Sequence, residues 1–301
     1  MNALLYFIVT RTPTHVGCGQ GLEDIDLPIQ RSTTTLLPIF YTSTIKGVLR
    51  QHAPELWGCD ERSVITLFGA ERDAAAQTAG MLTPQDARLL AMPVASLKGG
   101  WAWVSSRDQL RRLRQDALAA GMADVPVLPA TLKSDAILLD AQSSLRISSP
   151  EGDRVALLET VLVPTGESSD LARCWGDFIA ARAYPDDDAE WRTEVASRFV
   201  IVSDATFTQM AKNATEVRAR VSLDEDRIAR DRSLWREECL PADTILWGQI
   251  GAQATDRGAK DALSENDALN IVRRGEVQIG GKASVGYGLV DFLPQARPTG
   301  A

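Results

Sequence analysis

The sequence predicts an α+β chain on a ferredoxin-like plan, from three observations. First, the apolar, β-branched run Tyr6-Phe7-Ile8-Val9-Thr10 reads as a buried opening strand. Second, Ile45, Val48 and Leu49 recur at helical spacing. Ser43 or Thr44 supplies a capping hydroxyl for a helix through Arg50, which Pro54 stops. Third, two strand-like runs, 88–94 and 101–104, precede a helix over 107–120. Strand, helix, strand, strand, helix is the β-α-β-β-α-β order.

The remaining elements follow the same rules. Further strands are expected at 154–163 and 244–250, and helices at 170–183, 189–197, 204–213 and 259–274. Residues 216–223 alternate polar and apolar side chains, pass through a charged turn over 224–232 and return at 233–240, the pattern of a projecting hairpin. Arg218, Arg220, Arg227, Arg230 and Arg232 are placed on its outward side. The stretch 12–37 is rich in Gly, Pro, Asp and Thr and reads as a long functional loop. Trp101 and Trp103 are read as alternating across their strand, one ring in the core and the other at an interface.

At 301 residues, 45% hydrophobic and 24% charged, the chain has the composition of an ordinary globular protein with a substantial core. One domain with insertions and two domains are both compatible with that length. A net charge of -8 argues against nucleic-acid binding by bulk positive charge, so any such contact must be local. Cys18, Cys59, Cys174 and Cys239 are far apart and form no C-x-x-C pair, which argues against a zinc site or a disulfide framework. The opening apolar run lacks a basic leader and is too short to span a membrane, which places the chain in the cytoplasm.

Two segments carry candidate chemistry. In the long loop, Asp26 lies between Gly21 and Pro28 with Glu23 and Asp24 nearby. A carboxylate there can hold a divalent cation, orient an attacking hydroxyl, or simply close a turn. His15 shares that loop and is of the residue type able to exchange protons near neutral pH, while Glu237 and Glu238 at the hairpin return offer a second carboxylate or a surface charge on an edge strand. Lys46 and Arg50 share one helix face beside the hydroxyls of Ser43 and Thr44, fit either to hold phosphates or to be solvated; Arg31 has the same standing. The second segment is the loop Gly280-Gly281-Lys282-Ala283-Ser284-Val285-Gly286-Tyr287-Gly288, between apolar runs 276–279 and 289–292. A P-loop or dinucleotide fingerprint requires a helix directly after it, and here a strand follows. Lys282, Ser284 and Tyr287 remain as possible RNA contacts, the tyrosine stacking on a base or filling core.

With these motifs the chain resembles the RAMP superfamily, and more narrowly the backbone subunit of type III-B CRISPR effector (Cmr) complexes. The resemblance rests on 12–17, Asp26-Leu27-Pro28-Ile29-Gln30-Arg31, 43–50, Leu67-Phe68-Gly69, 90–94, 234–240 and the glycine loop, in that order over nearly the whole chain. Ser32 stands where an acidic residue is expected, and Tyr41-Thr42 where smaller residues are. The resemblance implies a single domain over 1–301, a modified RNA-recognition (ferredoxin-like) fold with insertions and a hairpin thumb at about 214–243. It implies copies lined up in a helical filament along a guide CRISPR RNA, with other effector subunits and no membrane. The activity implied is metal-dependent endoribonuclease cleavage of target single-stranded RNA at regular intervals, within the assembled complex, for antiviral defence. Asp26 would be catalytic and hold magnesium or manganese, supported by His15, Glu237 and Glu238. Arg31, Ser43, Thr44, Lys46, Arg50, Arg218 and Arg220, with Gly280, Gly281, Lys282, Ser284, Gly286, Tyr287 and Gly288, would bind RNA. Two alternatives within the superfamily are a non-catalytic RNA-binding scaffold and a guide-precursor processing ribonuclease; an acidic protein-interaction module lies outside it.

Overall fold

The structure is a computed structural model that describes residues 3–21, 24–70, 79–165, 169–225, 229–254 and 263–296. The chain opens with β1 (Ala3–Thr10), crosses the long loop to the short β2 (Ile39–Phe40), and enters α1 (Thr42–Trp57), followed by α2 (Glu61–Phe68), β3 (Leu82–Pro84) and β4 (Ala87–Ser96). An inserted region follows: β5 (Gly100–Ser106), α3 (Arg107–Ala119), β6 (Ala136–Leu139), β7 (Val155–Leu157), β8 (Thr160–Pro164), α4 (Ser169–Ala183), α5 (Ala189–Arg198), β9 (Phe199–Val202), α6 (Asp204–Asn213) and the hairpin strands β10 (Glu216–Leu223) and β11 (Ala229–Cys239). The last unit is β12 (Ile245–Ala252), α7 (Glu265–Ile271), β13 (Gly275–Gln278) and β14 (Leu289–Pro294).

The ferredoxin-like order is present, but its second half is not the pair of elements that adjacency in sequence suggested. The strands run β14-β1-β12-β4, antiparallel throughout, and α1 and α7 pack on one face through Ile45, Leu49, Ala268 and Leu269. The β-α-β-β-α-β unit is therefore β1-α1-β4-β12-α7-β14, and everything between β4 and β12 is insertion. Residues 101–104 and 107–120 do form a strand and a helix, but they begin the insertion rather than complete the first unit.

That insertion closes on itself. The strands β4-β5-β9-β6-β8-β7 pair in order and β7 returns to β4 at Ser96–Leu157, making a small barrel-like sheet. Alternate residues such as Met92, Val94, Ala102, Val104, Ile137 and Val200 fill its inside, and Phe207 and Met210 of α6 pack into the same cluster. The outer face, with Trp103, Leu138 and Phe199, packs against Leu110 of α3 and Trp175 of α4.

Several boundaries differ from the sequence expectation for physical reasons. The helix does not stop at Pro54; it runs one further turn to the left-handed Gly58, whose N–H caps the carbonyl of Ala53. Residues 154–163 form two antiparallel strands rather than one, with Leu158 in a left-handed turn conformation. The expected helix 259–274 starts at Glu265, capped by the Ser264 hydroxyl, and ends at Ile271; residues 259–262 lie outside the described part. Trp101 and Trp103 are two residues apart and so face the same side of β5. Their ring centroids are 3.9 Å apart, and both belong to the cluster under α3 and α4. Among the described residues no helix is long and apolar enough to cross a membrane.

Candidate active site

Strand β11 organises the site. The hairpin β10–β11 is its own two-stranded ladder, separate from the main sheet. The long loop runs beside its root: the N–H of Leu27 donates to the Arg236 carbonyl (3.1 Å) and the N–H of Glu238 donates to the Leu27 carbonyl (3.0 Å). Asp26 is exposed there, and its Oδ2 accepts the Arg236 N–H at 2.7 Å. His15 is buried at 7% exposure, and its Nδ1 lies 2.6 Å from the Glu238 carbonyl oxygen. A carbonyl only accepts, so Nδ1 carries a proton. The two side chains thus dock two residues apart along one strand, about 6.6 Å by strand rise. Gly21, Asp26, Leu27, Leu234 and Trp235 line an open cleft of about 380 Å³.

Glu237 and Glu238 are not the surface charges on an edge strand that one reading of their position gave. Their exposures are 2% and 3%. Glu238 accepts from Arg31 at 2.5 Å, Thr215 at 2.8 Å and the Ile29 N–H at 3.1 Å, so it ties the loop to the hairpin root. Arg31 also donates to the Leu36 carbonyl, so its guanidinium clasps the loop as well. Glu237 accepts from Lys282, from Trp235 Nε1 at 2.6 Å and from Arg220 at 3.4 Å. Burial pushes the Glu237 carboxyl up, but hydrogen bonds from Lys282 and Trp235, with the Lys282 and Arg220 charges, hold it below the usual range. The neighbouring Cys239 thiol is pushed up to about 11 by burial and the Glu216 charge, so it is protonated at neutral pH.

The glycine loop is locked to the N-terminal loop. The Gly281 N–H donates to His15 O (3.1 Å) and the Gly288 N–H to Pro13 O (3.0 Å). Gly280 has a φ of 81°, and a Cβ there would lie 2.2 Å from the His15 carbonyl oxygen, so no other residue fits. Gly281 and Gly286 have nothing within 4 Å of such a carbon, so they leave the backbone open to an outside partner. Ser284 is on the same exposed turn. Tyr287 is 2% exposed and fills core; its hydroxyl accepts from Arg220 at 2.8 Å, and the guanidinium carbons of Arg218 and Arg220 lie 5.3 and 5.2 Å from its ring centroid. Base stacking on this ring is excluded by that burial. Arg218 and Arg220 accordingly face the glycine loop rather than outward, with Arg218 paired to Glu216. Arg230 is exposed; Glu23, Arg227 and the side chain of Arg232 lie outside the described part.

Helix α1 starts two residues earlier than a Ser43 cap implies, and three earlier than a Thr44 cap. Tyr41 occupies its cap position without a side-chain capping bond, and the Asp86 carboxylate instead accepts from the Thr42 N–H (2.7 Å) and hydroxyl (2.8 Å). Ser43 is exposed, and Thr44, Lys46 and Arg50 are half-buried; Arg50 also donates to the Gly69 carbonyl at 2.5 Å. Gly47, among them, was not singled out from sequence. It is exposed in mid-helix with nothing within 4 Å of a Cβ, so the backbone there is open.

Among the described residues no three His, Cys, Asp or Glu side chains converge to hold a metal. Among the described residues Asp26 is the one carboxylate lining the cleft, with one oxygen already bonded, so they do not by themselves complete a cation site.

The sequence pattern of the RAMP superfamily matches residues 7–291. The chain belongs to the RAMP superfamily. Within it, the CRISPR system Cmr endoribonuclease Cmr4 of Pyrococcus furiosus is 30% identical over 298 residues, 96% of this chain and 95% of that protein. The crystal structure of oligomeric Cmr4 from the same organism superposes with a TM-score of 0.71 at 26% identity, covering 98% of this chain and 99% of that one. A chain of the type III-B Cmr-beta complex bound to cognate target RNA has a TM-score of 0.69 at 18% identity, covering 98% and 97%, a likeness of RAMP fold alone.

Proposed function

We propose that this RAMP protein is the repeated backbone subunit of a type III-B CRISPR ribonucleoprotein, holding guide RNA and cutting target RNA at regular intervals. Copies of itself, other effector subunits and the two RNAs are its partners. The observation that carries the reading is Asp26: an exposed carboxylate fixed through one oxygen to the hairpin root, on a residue that lines a cleft. The likeness to a protein named as an endoribonuclease supports it.

The chemistry that fits is in-line attack by the 2′-hydroxyl of the target on the adjacent phosphate. A nucleotide displaced from the duplex by the hairpin frees the backbone for that alignment. The free oxygen of Asp26 accepts the hydroxyl hydrogen and orients the 2′-oxygen; the P–O5′ bond breaks and the 5′-oxygen leaves with a proton from solvent. The products carry a 2′,3′-cyclic phosphate and a 5′-hydroxyl. His15 acts as a positioning residue, pinning the loop to β11. A magnesium or manganese ion here would draw most of its oxygen ligands from RNA and water, Asp26 adding one.

The test is Asp26→Asn in the reconstituted complex: target binding is retained and periodic cutting is lost. Unchanged cutting removes Asp26 from the reaction, and a 5′-phosphate on the downstream fragment by mass spectrometry replaces 2′-hydroxyl attack with water attack. Cutting that persists in EDTA removes the metal.

A further inference from the structure

We propose that the cleft beside Asp26 is a nucleobase pocket: it takes the base of the displaced target nucleotide against the indole of Trp235, whichever base that is. The inference rests on the function proposed above and names the part of the target that the site grips.

The carrying observation is Trp235. Four tryptophans are half-buried. Trp57 packs on Phe68, Trp101 on Trp103, and Trp191 on Trp103 and Tyr184, while Trp235 packs on no other ring among the described residues. Its one polar group is already used, because Nε1 donates to the buried Glu237 carboxylate at 2.6 Å. The side chain therefore has only carbon surface to give the cleft it lines, and Glu237 anchors it there. Leu27 and Leu234 line the same cleft, and Leu234 is 68% exposed. An anchored, unstacked indole beside aliphatic side chains is the surface that the π-face of an unpaired base binds. At about 380 Å³ the cleft also falls among pockets for small organic groups, about 300–1,000 Å³.

The strand edge supplies the polar half of the pocket. The N–H groups of Arg236 and Glu238 turn away from β10 to bond Asp26 and Leu27. By the alternation of an antiparallel ladder, the N–H and carbonyl of Leu234 turn to the same side, about 6.6 Å further along. Among the described residues the bonds from the loop end at Arg236, so this donor and acceptor border the cleft. Every RNA base carries a donor beside an acceptor on its Watson–Crick edge, and the exposed Gln20 amide on the same cleft carries one of each. Ring and backbone thus hold any base, which cutting at regular intervals requires. Trp235 directly precedes the residue whose N–H holds Asp26, about 3.3 Å by strand rise, so a base on the indole leaves its own ribose beside the carboxylate.

The experiment compares Trp235, Trp235→Phe and Trp235→Leu in the reconstituted complex. Melting temperatures of the purified chains confirm folding. A target with 2-aminopurine on a 2′-deoxyribose at the displaced position reports binding without cutting. Its fluorescence is expected to be quenched by Trp235 and by the phenylalanine ring, and to rise several-fold in Trp235→Leu. A second target, abasic at that position with its 2′-hydroxyl intact, is expected to be cut about ten- to a hundredfold more slowly by the wild type, the worth of one stacked base. Trp235→Phe is expected to keep that sensitivity although it loses the bond to Glu237, and Trp235→Leu to lose it. Equal fluorescence in all three proteins, or an abasic target cut as fast as the normal one, overturns the pocket. Should Trp235→Leu melt early, the abasic comparison in the other two proteins decides. Asp26→Asn is measured separately, and its unchanged cutting overturns the proposed catalytic role instead.

Discussion

The loop around Asp26 and the root of the hairpin touch along one strand, yet they treat their carboxylates in opposite ways. Glu237 and Glu238 are buried, and each is bonded to a cation and at least one neutral donor. Asp26 is exposed and has one backbone donor. Glu238 holds that loop to the hairpin and Glu237 holds the glycine loop to it; Asp26 is the one proposed to react. A carboxylate spends its hydrogen-bonding capacity either on the fold or on a substrate, and this site divides the two tasks between neighbours.

The largest expected effect separates them by readout. Asp26→Asn should lower cutting by about 10² to 10⁴ while costing only about 1 kcal/mol of stability, the worth of one hydrogen bond. Glu238→Ala should do the reverse, lowering stability by about 3 kcal/mol in thermal unfolding because it strands the Arg31 guanidinium. A wild-type melting curve for Glu238→Ala would erase the contrast.

A smaller effect depends on pH. Because the folded Glu237 carboxyl is held below its ordinary value of 4.5, its stabilisation is present above that pH and lost as pH falls through the folded value. Glu237→Gln should therefore unfold more easily than wild type at pH 7, and the two should converge in acid. Parallel curves from pH 7 to 3 would mean the ion pairs with Lys282 and Arg220 contribute nothing. The smallest effect tests the first turns of α1 instead of the hairpin root: Gly47→Ala should stabilise the free chain by about 0.5–1 kcal/mol and weaken guide binding. Unchanged guide affinity would make Gly47 an ordinary surface residue.

Local pattern carried far in this chain. Apolar periodicity located β1, α1 and the hairpin, and the flanking runs showed the glycine loop joining strands rather than strand to helix. It failed where pairing partners are distant: β12, α7 and β14 complete the first unit only after 148 intervening residues, 97–244. At the site, Asp26 and His15 were legible as loop residues of the right type. That Glu237, Glu238, Arg31 and Tyr287 serve the fold was not, because an acidic pair on an alternating strand reads the same whether its partners are water or a buried lysine.

The sequence by itself determined the elements, the loop carrying Asp26, and the RAMP pattern along the chain. Only the tertiary structure decided which charges were already neutralised and which backbone was left open. The reason is physical: propensity and periodicity act over a few residues, whereas burial and ion pairing join Lys282 to Glu237 and Arg31 to Glu238, which are far apart in sequence.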